Sequence, residues 1–138
     1  MKIAILIARV ILGLLFFVSG LNGILHFIHP PPMPPSDAST FANILMTSSY
    51  MTFVALLMVI AGLLLLVGRF VPLALTILGP IVVNILLFHF LLMHGGAGIG
   101  IVATLLELFL VYVYRRSFIG LFDAAPEIVA PANRVREP

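Results

Sequence analysis

Four long apolar stretches, separated by polar or proline-rich breaks, organise this chain. They cover residues 3–28, 50–67, 72–93 and 97–114, and each approaches the roughly 20 apolar residues that a helix needs to cross a bilayer. The first break opens with six residues of which five are proline, Pro30, Pro31, Pro32, Pro34 and Pro35. Proline cannot extend a helix and favours the polyproline II form, so this segment is expected to be a stiff strut. Ser36 or Asp37 then offers an N-cap, and Phe41, Ile44 and Leu45 follow at helical spacing. Residues 37–49 therefore read either as a short amphipathic helix lying over the mouth of a bundle or as an irregular outer loop. The second break is tight. Gly68 can end one helix and Pro72 can open the next, which makes the two an antiparallel hairpin. Gly79-Pro80 inside the third stretch removes a backbone hydrogen bond and predicts a kink. The third break, His94-Gly95-Gly96-Ala97-Gly98, reads as a turn; no strand precedes it and no lysine follows, as a phosphate loop would require. A polar tail with Pro126 and Pro131 follows Tyr114. The pattern predicts an all-α integral membrane protein, a four-transmembrane-helix bundle over residues 1–122 with an outer loop at 29–49 and a mobile tail at 123–138.

Composition strengthens the membrane reading. The chain is 62% hydrophobic and 9% charged, with a mean hydropathy of +1.27, against about 25% charged residues in soluble domains. A single soluble core does not need that much apolar surface. With no cysteine, the chain has no disulfide, thiolate nucleophile, iron–sulfur cluster or redox pair of its own. An electron-transfer role therefore needs a bound cofactor or a partner protein.

The basic residues set the orientation. Lys2 and Arg9 stand at the start of the first helix, Arg69 in the second break, and Arg115, Arg116, Arg134 and Arg136 after the fourth helix. The first and third breaks contain neither Lys nor Arg, so all seven basic residues fall on one side of a four-pass chain. The positive-inside rule puts that side, with both termini, in the cytoplasm. Topology accounts for the basic balance, and no nucleic-acid partner is expected. Arg9, inside the apolar run, is expected to snorkel to the inner headgroups. Val18-Ser19-Gly20 loosely fits a signal cleavage site, but the apolar run continues past it and the charge count works with this helix retained.

Polar residues inside the apolar stretches are the candidates for chemistry. Glu107 stands mid-way along the fourth, where an ionisable group costs roughly 2.5–3.5 kcal/mol by insertion scales. Ser19, Asn22, His26 and His29 recur at spacings of three, four and three on one face of the first helix. The third helix adds Asn84 near mid-depth and His89 about 7–8 Å further out. The fourth adds Thr104, on the face of Glu107, while Gly100 and Ala103 permit close helix contact. Depth predicts a narrow polar cavity in the outer half of the bundle, floored by Glu107 and Asn84 and walled by the histidines; desolvation there is expected to leave Glu107 protonated or sharing a proton with His89. Each residue also has a plainer role open to it. Asn84 can be glue between helices, His26 a structural hydrogen-bonding group, and His29 and His94 solvated interface residues. Tyr112 and Tyr114 fit an aromatic belt.

Residues 8–22 (ARVILGLLFFVSGLN) resemble the first-helix signature of DoxX-like membrane proteins. Residues 62–72 (GLLLLVGRFVP) are similar to that family's second-to-third helix connection, and residues 83–89 (VNILLFH) and 106–109 (LELF) fit one of its subgroups. The resemblance spans about residues 5–122. It implies a small four-helix protein of the bacterial inner membrane. Some members are similar to membrane subunits of thiosulfate:quinone oxidoreductase, and others accompany soluble redox or detoxification enzymes. Many relatives carry a glutamate three residues before a Gly-Gly pair in the second helix. Here Met58 stands in that place and the pair is Ala61-Gly62.

Three functions follow. In a quinone-linked redox subunit, which the resemblance implies, Asn22, His26, Asn84 or His89 would bind a quinone while Glu107 and His89 relay its proton. A soluble redox partner would then dock at the cytoplasmic face. In a non-catalytic scaffold or assembly protein, the membrane surface and the arginine-rich tail would hold that partner. In an oligomeric proton-coupled transporter, Glu107 would exchange a proton for substrate, although the internal symmetry of many transporters is missing. Haem b held by His26 and His89 is a minor alternative. A di-metal carboxylate centre is disfavoured because the bundle offers one acid.

Overall fold

A computed structural model describes residues 1–126. Five α-helices run in the order α1 (Lys2–Leu25), α2 (Asp37–Thr47), α3 (Ser49–Val67), α4 (Val71–Leu87) and α5 (Gly98–Val113). A π-helical turn, Phe88–Leu92, prolongs α4, and two 3-10 turns, Arg115–Ser117 and Ile119–Phe122, follow α5. Among the described residues α1, α3 and α4 with its π turn are long and apolar enough to cross a membrane. The fourth, α5, is shorter, with 16 residues. Together they form a four-helix membrane bundle. Helix α1 packs on α3, α3 on α4, α4 on α5 and α5 back on α1, so α1 faces α4 across one diagonal and α3 faces α5 across the other.

Each helix buries one stripe and leaves the rest apolar and exposed. Helix α1 turns Ala8, Leu12, Phe16, Gly20 and Gly23 inward, at spacings of three or four. Ala55, Met58, Ala61, Gly62 and Leu65 do so on α3. Outside the stripes stand Leu14, Val18, Phe53, Leu63, Val83 and Leu105, among many others. In water such a surface would drive aggregation; in a bilayer it is the lipid contact. Burial of apolar groups cannot hold helices together in lipid, so close backbone approach does. A methyl group on Gly62 would stand 2.6 Å from the Phe17 backbone nitrogen, and one on Gly20 would stand 2.7 Å from the Ala55 carbonyl oxygen.

The first expected helix ends earlier than its apolar run. His26 takes a left-handed conformation (φ 53°) and donates its backbone N–H to Asn22 O at 2.8 Å. The Asn22 side chain accepts the Ile28 N–H at 2.6 Å, which turns the chain out of the helix before residue 28. The amphipathic helix of the first break does form, as α2. Ser36 is its N-cap, with a reciprocal capping box to Ser39. The third stretch stays helical through Pro80, then widens into the π turn. Arg9 does more than snorkel. It is half-buried with its guanidinium over Gly68, at the C-terminal end of α3 where the helix dipole favours a cation. Its Nε is buried without a hydrogen-bond partner. Of the expected tail, residues 127–138, including Arg134 and Arg136, lie outside the described residues. Phe118, between the two 3-10 turns, packs against the core.

Candidate functional site

Glu107 is the one buried polar or charged side chain among the described residues, 5% exposed. It continues the inward stripe of α5, Gly100, Ala103, Glu107 and Leu110, so the register that packs the helix also carries the carboxyl into the core. Across from it α4 presents Gly79. A methyl group there would stand 3.7 Å from a Glu107 carboxyl oxygen, with no other side chain within 4 Å. The missing side chain of Gly79 thus leaves the notch into which Glu107 points. No side chain hydrogen-bonds or ion-pairs with Glu107 among the described residues. Thr104, one turn away, instead donates its hydroxyl to Gly100 O at 2.7 Å.

The expected polar cavity is not assembled. On α4 Gly79 and Asn84 are five residues apart, about 140° around the helix, so the face that meets Glu107 cannot also present Asn84 to it. Asn84 is exposed on the outside of the bundle. His89 is half-buried but lies beside Gly96, in the α4–α5 connection. Glu107 is nine residues into α5, about 13 Å deeper at 1.5 Å per residue. A proton cannot pass directly between two groups so separated, which corrects the expectation of a shared proton. Asn22 is engaged with the Ile28 amide, and His26 is exposed on α1, diagonally across from α4. The structure therefore brings none of the five candidates, Glu107, His89, Asn22, His26 and Asn84, into one site.

Two places that the sequence did not point to emerge instead. One is a groove of about 280 Å³ between α2 and the C-terminal part of α4 with its π turn, lined by Phe41, Asn84, Leu87, Phe88, Leu91 and Leu92. The Phe41 and Phe88 rings stand 6.0 Å apart, centre to centre, tilted by 31°. Asn84 is thirteen residues from the start of α4 and eight before Leu92, hence about 20 Å and 12 Å from the two ends of that span, within the hydrocarbon layer. Its side chain makes no hydrogen bond among the described residues. The groove escaped sequence reading because it depends on where α2 folds back. The other place is at the rim, where Met33, Met93 and His94 meet.

Met58, where relatives are expected to carry an acid, is buried in α3 at 5% exposure. It lies nine residues into α3 as Glu107 lies nine residues into α5, both helices starting from the end that carries α2. The two positions therefore share a depth, on diagonally opposed helices.

No curated protein and no solved structure matches the chain. A family model, DoxX, matches residues 4–95, which takes in α1 to α4 and the π turn and stops short of α5 and Glu107. With two thirds of its length matched, the chain belongs to the DoxX family.

Proposed function

We propose that this protein is the membrane subunit of a quinone-linked redox assembly of the bacterial inner membrane, taking the quinone from the bilayer into the groove at Asn84. The observation that carries this reading is a carboxamide at hydrocarbon depth, open to lipid and flanked by two phenyl rings. A polar group exposed to lipid is costly and marks a partner. The Asn84 amide would donate to a quinone carbonyl, Phe41 and Phe88 would flank the ring, and α2 would cover it. A quinone supplies a two-electron, two-proton acceptor, and the electrons come from a partner because the chain has no cysteine with which to build a redox pair or cluster. Family membership supports the redox setting. Glu107 and His89 lie outside the groove and take no direct part in holding the ring.

The test is mass spectrometry of organic extracts from gently purified wild type, Asn84→Leu and Glu107→Leu. Quinone enriched over the lipid background in wild type and Glu107→Leu, but lost in Asn84→Leu, supports the reading. Quinone at background in wild type ends it.

A second copy of the chain is the other reading of the same groove. Topology holds Asn84 at one depth in every copy, and a carboxamide carries both a donor and an acceptor, so it pairs with itself. In this cysteine-free chain, Leu91→Cys, exposed and lining the same groove as Asn84, would then cross-link between copies, and Asn84→Leu would abolish the cross-link.

A further inference from the structure

At the end of the bundle that carries α2, a cavity of about 350 Å³ is bounded by the proline strut, the start of α2 and the end of the π turn. Met33 of the strut and Met93 and His94 of the α4–α5 connection all line it. No carboxylate does, although Asp37 lies next in sequence to the lining residues Ser36 and Ala38.

The backbone around these residues is unusual. His94 is one of three non-glycine residues with positive φ among the described residues, at 51°, and Gly96 follows at 70°. This pair of left-handed residues folds the connection back on itself. Beside Gly96 lie the Met93 side chain and the His89 ring. A methyl group there would stand 3.9 Å from Met93 Sδ and 3.7 Å from His89 Cδ2. The His89 ring and the Met93 sulfur therefore flank the same glycine. His89 Nδ1 lies 2.8 Å from Ile85 O. A carbonyl only accepts, so Nδ1 carries a proton, and in the neutral ring the lone pair is on Nε2. A hydrogen bond from the far nitrogen to a backbone carbonyl is how metal-binding imidazoles are commonly oriented.

We infer that Met33, Met93 and His94, which line one cavity, form a site for a soft monovalent metal ion, Cu(I) above all. Two thioethers and an imidazole without a carboxylate select against magnesium and calcium, and thioether sulfur favours Cu(I) over zinc. The opposing account makes both methionines plain apolar filling at a membrane interface, a role in which leucine serves equally well. The site is distinct from the Asn84 groove and does not depend on quinone binding.

Replacing sulfur at nearly constant volume separates the two accounts. Purified full-length protein in detergent, kept reduced, is titrated against the Cu(I)–bicinchoninate complex. Wild type should withdraw a single Cu(I) per chain. Met33→Leu/Met93→Leu should weaken binding by about tenfold or more, as should His94→Gln, while Met46→Leu on the exposed face of α2 should bind as wild type. Far-UV circular dichroism and gel filtration identify any variant that has lost its fold, and single Met93→Leu, the mildest change, is then read in its place. Failure of wild type to compete for Cu(I), or unchanged affinity in the leucine variants, overturns the proposal.

Discussion

At the scale of single residues, Glu107 shows how a position can be legible while its surroundings are not. Its depth follows from counting along one helix. Its neighbour, the notch at Gly79, depends on how two helices are set against each other. A carboxyl in that notch with no side-chain partner does not hold the bundle together, so Glu107→Leu should leave the Tm in detergent unchanged or raise it. A clear fall in Tm would show that the acid is structural. Met58 and Glu107 share a depth, which leads to an exchange experiment. Met58→Glu alone puts a second acid at one level of the core and should lower the Tm. Met58→Glu combined with Glu107→Met restores a single acid and should recover most of that loss; an additive result would separate the two positions. Gly68 is constrained twice, by its φ of 78° and by the Arg9 guanidinium, which a methyl group would meet at 2.5 Å. Gly68→Ala should therefore lower the Tm, and Arg9→Leu should relieve the part of the loss due to the clash.

At the scale of elements, the breaks between helices were readable because proline, glycine and capping serine act locally. Ser36 caps α2, Gly68 ends α3 and Pro72 stands in the first turn of α4, as their chemistry requires. The end of α1 was not readable, because an apolar run sets the limits of what can be buried in lipid and not where the backbone leaves the helix. The Asn22 side chain and the left-handed His26 decide that. The π turn was equally hidden, since nothing in Phe88–Leu92 forbids ordinary helix. Packing between α1 and α3 depends on glycines at the contact. Gly62→Val should push the two helices apart and cost about 1–3 kcal/mol, measured as a fall in Tm. Gly95→Ala, which would meet nothing within 4 Å, should change it little.

At the scale of the whole molecule, the distribution of Lys and Arg implies that the end carrying α2 faces outward. The absence of cysteine makes this easy to check. Ser36→Cys should react with a membrane-impermeant maleimide in intact cells, and Ser117→Cys only after permeabilisation; the reverse pattern would invert the bundle. The sequence by itself determined what depends on composition and spacing along one chain: a membrane bundle of four helices, its breaks and the family. Only the tertiary structure decided which polar residues meet, because helices that are apolar on every side give no rotational signal. Asn84 lies about 7 Å along α4 from Gly79, the residue that faces Glu107, and about 140° around the helix, so one meets the groove and the other the core. The groove at Phe41 and the Met33, Met93 and His94 cluster needed α2 and the proline strut folded back over the bundle, contacts between segments far apart in the chain.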